Sequence, residues 1–319
     1  MSKTIGLAIA LAVSIQALSA LRAGAEDLSG ADLTAPPPAS EESMPAVLSG
    51  TLKKVRDRGI LVIGYREASF PFSFVQPGAP WPLGYSIDLC RGIVEEIERE
   101  LGGNPTRVDF APVTADTRTQ AVMSGAVDLE CGSTTSNAER QRSVAFSPIT
   151  YVAGTKLLVK RSSGIGSYRD LGGKTLVVTS GTTNEAAMKQ LNDKYRLGVT
   201  VVSARDHDQS YAMLADGVAD AFATDDVLLY GFIVAKNAQA VMAVVGDFIT
   251  YEPYGIMYRR DDPLMAAAVT RAFLAMAQTR RLAATYRRWF LEPGANGTSL
   301  NLPMSVQLSE VFRGLGEGD

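Results

Sequence analysis

From residue 48 onward one pattern recurs and restricts the fold more than any single motif: a short apolar run of strand type, then a stretch of helical period. Residues 60–64 form the first such strand. In residues 88–101, Leu89, Cys90, Ile93, Val94, Ile97 and Leu101 fall on one helical face, and Gly102-Gly103 stops the helix. Strand patterns follow at 106–110, 126–131, 156–160, 175–179, 199–203 and 219–224, with helical ones at 117–124, 184–195 and 209–217 among them. Asp262-Pro263 combines a capping side chain with a first-turn proline and opens a long helix ending near residue 279. Repeated strand–helix–strand units require mostly parallel sheets flanked by helices, an α/β fold. A short internal echo, AVMSGAVDL at 121–129 and MLADGVADA at 213–221, places a helix end, a glycine stop and an aspartate before a strand in both copies. Two similarly wound lobes would give such an echo.

The N-terminus sets the compartment. Lys3 precedes an apolar run over 5–21, and Ala23-Gly24-Ala25 closes it with small residues. That layout predicts a secretory signal peptide over 1–25, cleaved after Ala25, and hence a periplasmic protein. No cysteine near that site offers a lipid attachment point. No later stretch reaches the ~18 apolar residues of a spanning helix. Residues 26–46, with Pro36-Pro37-Pro38, read as a flexible leader that cannot bury enough apolar surface to order itself. Removing 1–25 takes away Lys3 and Arg22 and no acid, leaving 294 residues with 29 basic and 34 acidic side chains. That length suffices for two lobes with separate cores. A mildly acidic surface argues against nucleic acid as a partner. Cys90 and Cys131 either pair, as the compartment permits, or remain two buried apolar thiols.

Nothing in the chain reads as a catalytic centre. His207 is the only histidine, so no histidine-rich metal cluster exists, and neither a nucleophile elbow nor a phosphate loop is present. No metal and no cofactor are expected. Two hydroxyl-rich clusters stand out instead. In residues 131–140 (CGSTTSNAER), Ser136 and Glu139 have the spacing of a capping box. In residues 179–185 (TSGTTNE), which open a helix directly after a strand, Thr182 and Glu185 have the same spacing. Hydroxyl-bearing helix N-termini favour carboxylates, because unpaired N–H groups and the helix dipole both attract an anion. A capping box is common, and either cluster alone has a purely structural reading. One in each lobe is more informative.

Six runs then carry a resemblance: GYREASFPFS at 64–73, GYSIDL at 84–89, ECGSTTSNAERQ at 130–141, VTSGTTNE at 178–185, SARDH at 203–207 and TDDVL at 224–228. In this order and register they resemble the periplasmic glutamate/aspartate-binding proteins of ABC uptake systems, in the polar amino-acid solute-binding family 3. The resemblance runs from about residue 48 to about residue 312. It implies a type II two-lobed fold, with residues 47–150 plus 254–319 as lobe 1, 151–253 as lobe 2, and two crossover strands, near 148–154 and 250–255, as the hinge. It also implies a monomer that closes on L-glutamate or L-aspartate and delivers it to the membrane subunits of an ABC permease. Arg140 would clamp the α-carboxylate, helped by Ser133 and the Thr182/Thr183 turn. Asp225 and the oxygens of Ser133 or Thr135 would take the α-ammonium, with Asp226 an alternative to Asp225. Arg66, Arg118 and His207 would face the side-chain carboxylate, and Phe72 would pack on the ligand or fill the core. One departure stands at Ala115, where the relatives carry a serine that bonds the side-chain carboxylate. Two other functions fit the same scaffold. A prephenate- or arogenate-type dehydratase needs an acid in the cleft, for which Glu67 or Glu130 is the nominal candidate. A chemoreceptor ligand carrier would bind the same solute and pass it to a receptor.

Overall fold

The structure, a computed structural model, describes residues 47–294 and 297–318. The signal peptide and leader expected over 1–46 lie outside the described residues. Helix α1 (Gly50–Arg58) and strand β1 (Ile60–Tyr65) lead into the hairpin of β2 (Ala68–Ser69) and β3 (Ser73–Phe74). Next come α2 (Tyr85–Glu100), β4 (Arg107–Pro112), α3 (Arg118–Ser124), β5 (Leu129–Glu130) and β6 (Val144–Phe146). After β7 (Tyr151–Ala153), a second series comprises β8 (Thr155–Lys160), β9 (Thr175–Thr179), α4 (Thr183–Tyr195), β10 (Thr200–Ala204), α5 (His207–Ala215), β11 (Ala221–Asp225), α6 (Asp226–Ala235) and β12 (Met242–Val245). Strand β13 (Glu252–Tyr254) returns to β14 (Met257–Arg259) and the helices α7 (Pro263–Gln278), α8 (Arg281–Phe290) and α9 (Val306–Gly314).

The two sheets have matching topologies. The first has the order β4-β1-β5-β14-β6 and the second β10-β9-β11-β8-β12. In each, four strands run one way and one is reversed: β14 in the first, β8 in the second. Each reversed strand follows one strand of the separate antiparallel ribbon in which β7 pairs with β13. The chain passes between the sheets twice through that ribbon. The echo at 121–129 and 213–221 falls on α3–β5 and α5–β11, and β5 and β11 hold the third place in their sheets. The fold is thus the two-lobed α/β arrangement the sequence implies.

Packing explains where the expected elements moved. The pattern at 126–131 shortens to the two paired residues of β5, because Asp128 bonds across to Val62 with both its backbone and its side chain. Its carboxylate accepts the Val62 N–H at 2.8 Å and an ion pair from Lys54 at 3.1 Å. Helix α6 has no single apolar face; it is apolar nearly all round and buries Val227, Leu228, Leu229 and Phe232, so no period announces it. The capping box of Ser136 and Glu139 does not form. Asn137 Oδ1 takes the Arg140 N–H and Ser136 Oγ accepts from the Gln141 side chain, so only a single 3₁₀ turn, Arg140–Arg142, follows. Phe72 fills the core: it is fully buried, 5.0–5.9 Å from the rings of Tyr85, Tyr151, Tyr254 and Phe290. Cys90 of α2 and Cys131 after β5 form a disulfide with Cα atoms 6.4 Å apart.

Candidate functional site

Every candidate residue except Arg140 sits where a strand ends or a helix begins. Arg66 follows β1, Ser133 and Thr135 follow β5, and Asp225 ends β11. Arg118 and His207 are the first residues of α3 and α5, while Thr182 caps α4 and Thr183 starts it. In α/β sheets the carboxyl ends of the strands open onto the crevice where ligands bind. Eight of the nine candidates line one small cavity between the sheets: Arg66, Arg118, Ser133, Thr135, Thr182, Thr183, His207 and Asp225. Arg140 does not line it. Its guanidinium donates to the Thr135 carbonyl at 3.0 Å and to the Gly181 carbonyl at 3.4 Å, tying the loop after β5 to the turn before α4.

One pole of the cavity is cationic. Arg66 and Arg118 are each only 2% exposed, with Glu130 as a buried counter-charge beneath them. The backbone of Arg66 is pinned by Ser73, whose hydroxyl accepts its N–H at 2.8 Å and donates to its carbonyl at 3.1 Å. Arg118 Nη1 donates to Thr134 Oγ1 at 2.5 Å, and Thr134 donates on to Glu130 at 2.7 Å. Burial, and then the neighbouring Arg118, pull Arg66 down to about 10. The same two causes in the same order bring Arg140 down to about 10, and burial lowers Arg118. All three remain cations at neutral pH. His207 is held well below its ordinary value by burial and by Arg66 and Arg118, so its imidazole is neutral. Its Nδ1 lies 2.7 Å from Thr179 Oγ1. Asp206 caps α5, accepting the Gln209 N–H at 2.8 Å. Arg66 Nη1, Arg118 Nε and Ser133 Oγ are buried without a hydrogen-bond partner.

The opposite pole is built of acceptors. Asp225 accepts from Asn184 Nδ2 at 2.7 Å and from the Tyr254 hydroxyl. Glu252 accepts from Thr135 and Thr183, at 2.7 and 2.8 Å. Burial, then the charge of Glu252, raise Asp225 to about 7. A raised carboxyl contributes stability that is complete below the unfolded value near 3.8 and is lost as pH climbs through about 7. The ligand-free Asp225→Asn variant should therefore gain melting temperature over the wild type progressively from pH 4 to pH 8. Thermal denaturation across that range checks this, and a gain independent of pH would contradict it. Asn184, Leu228, Glu252 and Tyr254 escaped sequence reasoning. Asn184 follows two candidate threonines and was legible as part of their helix start; Glu252 and Tyr254 lie on a three-residue strand with no period to read.

Neither acid considered for a dehydratase lines the cavity: Glu67 is exposed and Glu130 lies buried beneath the arginines. Among the described residues no group of histidine, cysteine and acidic side chains could hold a metal. No helix among them is long and apolar enough to cross a membrane.

Comparison with known proteins agrees with this geometry. An L-glutamate/L-aspartate-binding protein of Pseudomonas aeruginosa is 39% identical over 83% of this chain and 88% of its own. A glutamate/aspartate import solute-binding protein of Salmonella typhimurium is 37% identical over 86% of this chain and 90% of its own. Among solved structures, an ancestral arginine-binding protein bound to arginine superposes with a TM-score of 0.66 at 28% identity, covering 73% of this chain and 99% of that one. These relatives are solute-binding proteins, not enzymes. The family model of the bacterial extracellular solute-binding proteins, family 3, matches residues 61–292, and the chain belongs to that family.

Proposed function

We propose that this protein captures a free acidic amino acid, L-glutamate or L-aspartate, in the cleft between its two lobes and delivers it to an ABC permease. The observation that carries this reading is the pair of buried arginines with unsatisfied donors, Arg66 Nη1 and Arg118 Nε, on residues that line the same small cavity as Asp225. A buried donor without a partner costs free energy that a ligand carboxylate would recover, more so because the bond would be charge-assisted. An acidic amino acid brings two carboxylates and one ammonium, and the two poles match that charge pattern. Arg66, Arg118 and His207 would take the side-chain carboxylate. Asp225 would take the ammonium. Arg140, Ser133 and the α4 start at Thr182 and Thr183 would hold the α-carboxylate.

Glutamine keeps the α-groups but leaves a cation unpaired in a dry site, a cost of roughly 3–5 kcal/mol. Calorimetry at neutral pH should accordingly show glutamate or aspartate binding at least a hundredfold more tightly than glutamine, within the roughly two to four decades that cost implies. Equal affinities would overturn the reading. The names of the Pseudomonas and Salmonella relatives support the same ligand class and the same transport role. We place the lobe boundaries at the β7–β13 ribbon and the mature N-terminus at Glu26, which mass spectrometry of the exported protein checks.

A further inference from the structure

Glu252 lies on β13, one of the two strands by which the chain passes between the lobes, and it is only 3% exposed. One of its oxygens, Oε2, receives the hydroxyl of Thr135 from the first lobe at 2.7 Å and that of Thr183 from the second at 2.8 Å. A carboxylate oxygen carries no proton, so both hydroxyls must donate to it. Each threonine has a single proton to give. The two hydroxyl oxygens, 3.4 Å apart, therefore present only lone pairs to the cavity they line. Asp225 lines that cavity too, and both its oxygens are held by donors, Asn184 Nδ2 at 2.7 Å and the Tyr254 hydroxyl.

We infer that Glu252 is a specificity-determining residue: by fixing the proton direction of Thr135 and Thr183, it turns both hydroxyls into acceptors and makes this end of the cleft a site for a ligand ammonium. The inference rests on the amino-acid-binding reading above and deepens it. A carboxylate placed against these two hydroxyls would meet lone pairs, so the orientation of the ligand is set before it arrives. The Thr183 side chain is then unavailable to the α-carboxylate, which is left with the N–H groups of the α4 start and with Arg140. Because Thr135 and Thr183 come from different lobes, the polarity is complete only when the cleft is shut.

Replacing Glu252 by glutamine keeps size and shape but removes the charge that holds both hydroxyl protons: an amide oxygen at the Oε2 position accepts them more weakly, and an amide nitrogen there releases them toward the ligand. The discriminating measurement is the affinity ratio of glutamate to glutarate, which has both carboxylates and no ammonium, titrated by calorimetry into the intact ligand-free protein. Hydrogen bonds to a charged group are worth about a factor of ten to a hundred in affinity. In Glu252→Gln glutamate should weaken by that amount while glutarate is unchanged or binds better, so the ratio collapses at least tenfold. Thr183→Val, which removes an acceptor but keeps the backbone N–H, should shift the ratio in the same direction and carries the test alone if Glu252→Gln fails to fold. Parallel weakening of both ligands, with the ratio intact, would reduce Glu252 to a structural prop and overturn the inference. A wild-type protein that binds no acidic amino acid would overturn the amino-acid-binding reading itself, and this inference with it.

Discussion

Replacing Arg66 by methionine should lower the affinity for glutamate about a thousandfold, within the 2–5 kcal/mol typical of breaking a buried charge pair. Glutamine should lose far less, because the neutral amide gains little from the cation pole. The ligand-free protein should be at least as stable as the wild type. Arg66 is buried beside Arg118, which shares its sign, and its Nη1 lacks a partner, so the folded state carries the cost of its desolvation. Removing it leaves Arg118 and Glu130 as one cation facing one anion. Methionine is flexible enough to fill the space. Calorimetry with both ligands and thermal denaturation without ligand measure the two halves of this result. A drop in ligand-free melting temperature that accounts for the lost affinity would instead make Arg66 a structural residue. Weaker glutamate binding with undiminished ligand-free stability would make the wild-type site a case of stability given up so that binding energy is available when the ligand arrives.

The sequence was most readable where one face of an element is buried and least readable where the whole element is. Helix α2 announced itself through Leu89, Cys90, Ile93, Val94 and Ile97, all buried in the structure, although it starts at Tyr85 because Gly84, at φ 141°, precedes it in a conformation open to glycine. The start of α7 was legible from Asp262-Pro263, and Asp262 does cap it, accepting the Met265 N–H. Helix α6 carried no period, and α1, α8 and α9 lie in stretches whose pattern did not reach a helix assignment. Strand–helix alternation exposed the architecture, and the resemblance placed two crossings where β7 and β13 lie; the reversed strands β8 and β14 are consequences of tertiary routing that no local period encodes. The same limit governed the site. Hydroxyls and charges at strand ends could be picked out one by one, and eight of nine do meet at one cavity. The pairing of Cys90 with Cys131 and the role of Glu252 depend on distances between segments 41 and more than 100 residues apart. Arg140 shows how a local motif misleads: its expected helix start dissolves because Asn137 and Gln141 offer competing partners.

A single methyl group at position 231 should hold the cleft open. Gly231 lies in α6 of the second lobe, and a Cβ built on it would come 2.6 Å from the carbonyl oxygen and 3.1 Å from the ring of Phe70, in the β2–β3 turn of the first. A backbone oxygen cannot swing aside as a long side chain does, so the contact is relieved by moving one lobe away from the other. Gly181 makes a similar approach to Asp116, but its φ of 73° means that any side chain there also strains its own backbone. Gly231 has ordinary helical geometry and tests the contact cleanly. Overpacking of this kind costs about 1–3 kcal/mol, and charged to the closed state alone it lowers affinity about 5- to 150-fold. The open protein escapes that cost and gains up to about 1 kcal/mol from replacing glycine by alanine within a helix. Gly231→Ala should thus melt at the same or a higher temperature without ligand, bind glutamate more weakly, and show by small-angle scattering a smaller contraction when ligand is added. Weaker binding together with a lower ligand-free melting temperature would mean that α6 itself is damaged. Unchanged affinity would mean that Phe70 and Gly231 need not meet for the ligand to be held, and closure would have to be sought in the contacts around Glu252 instead.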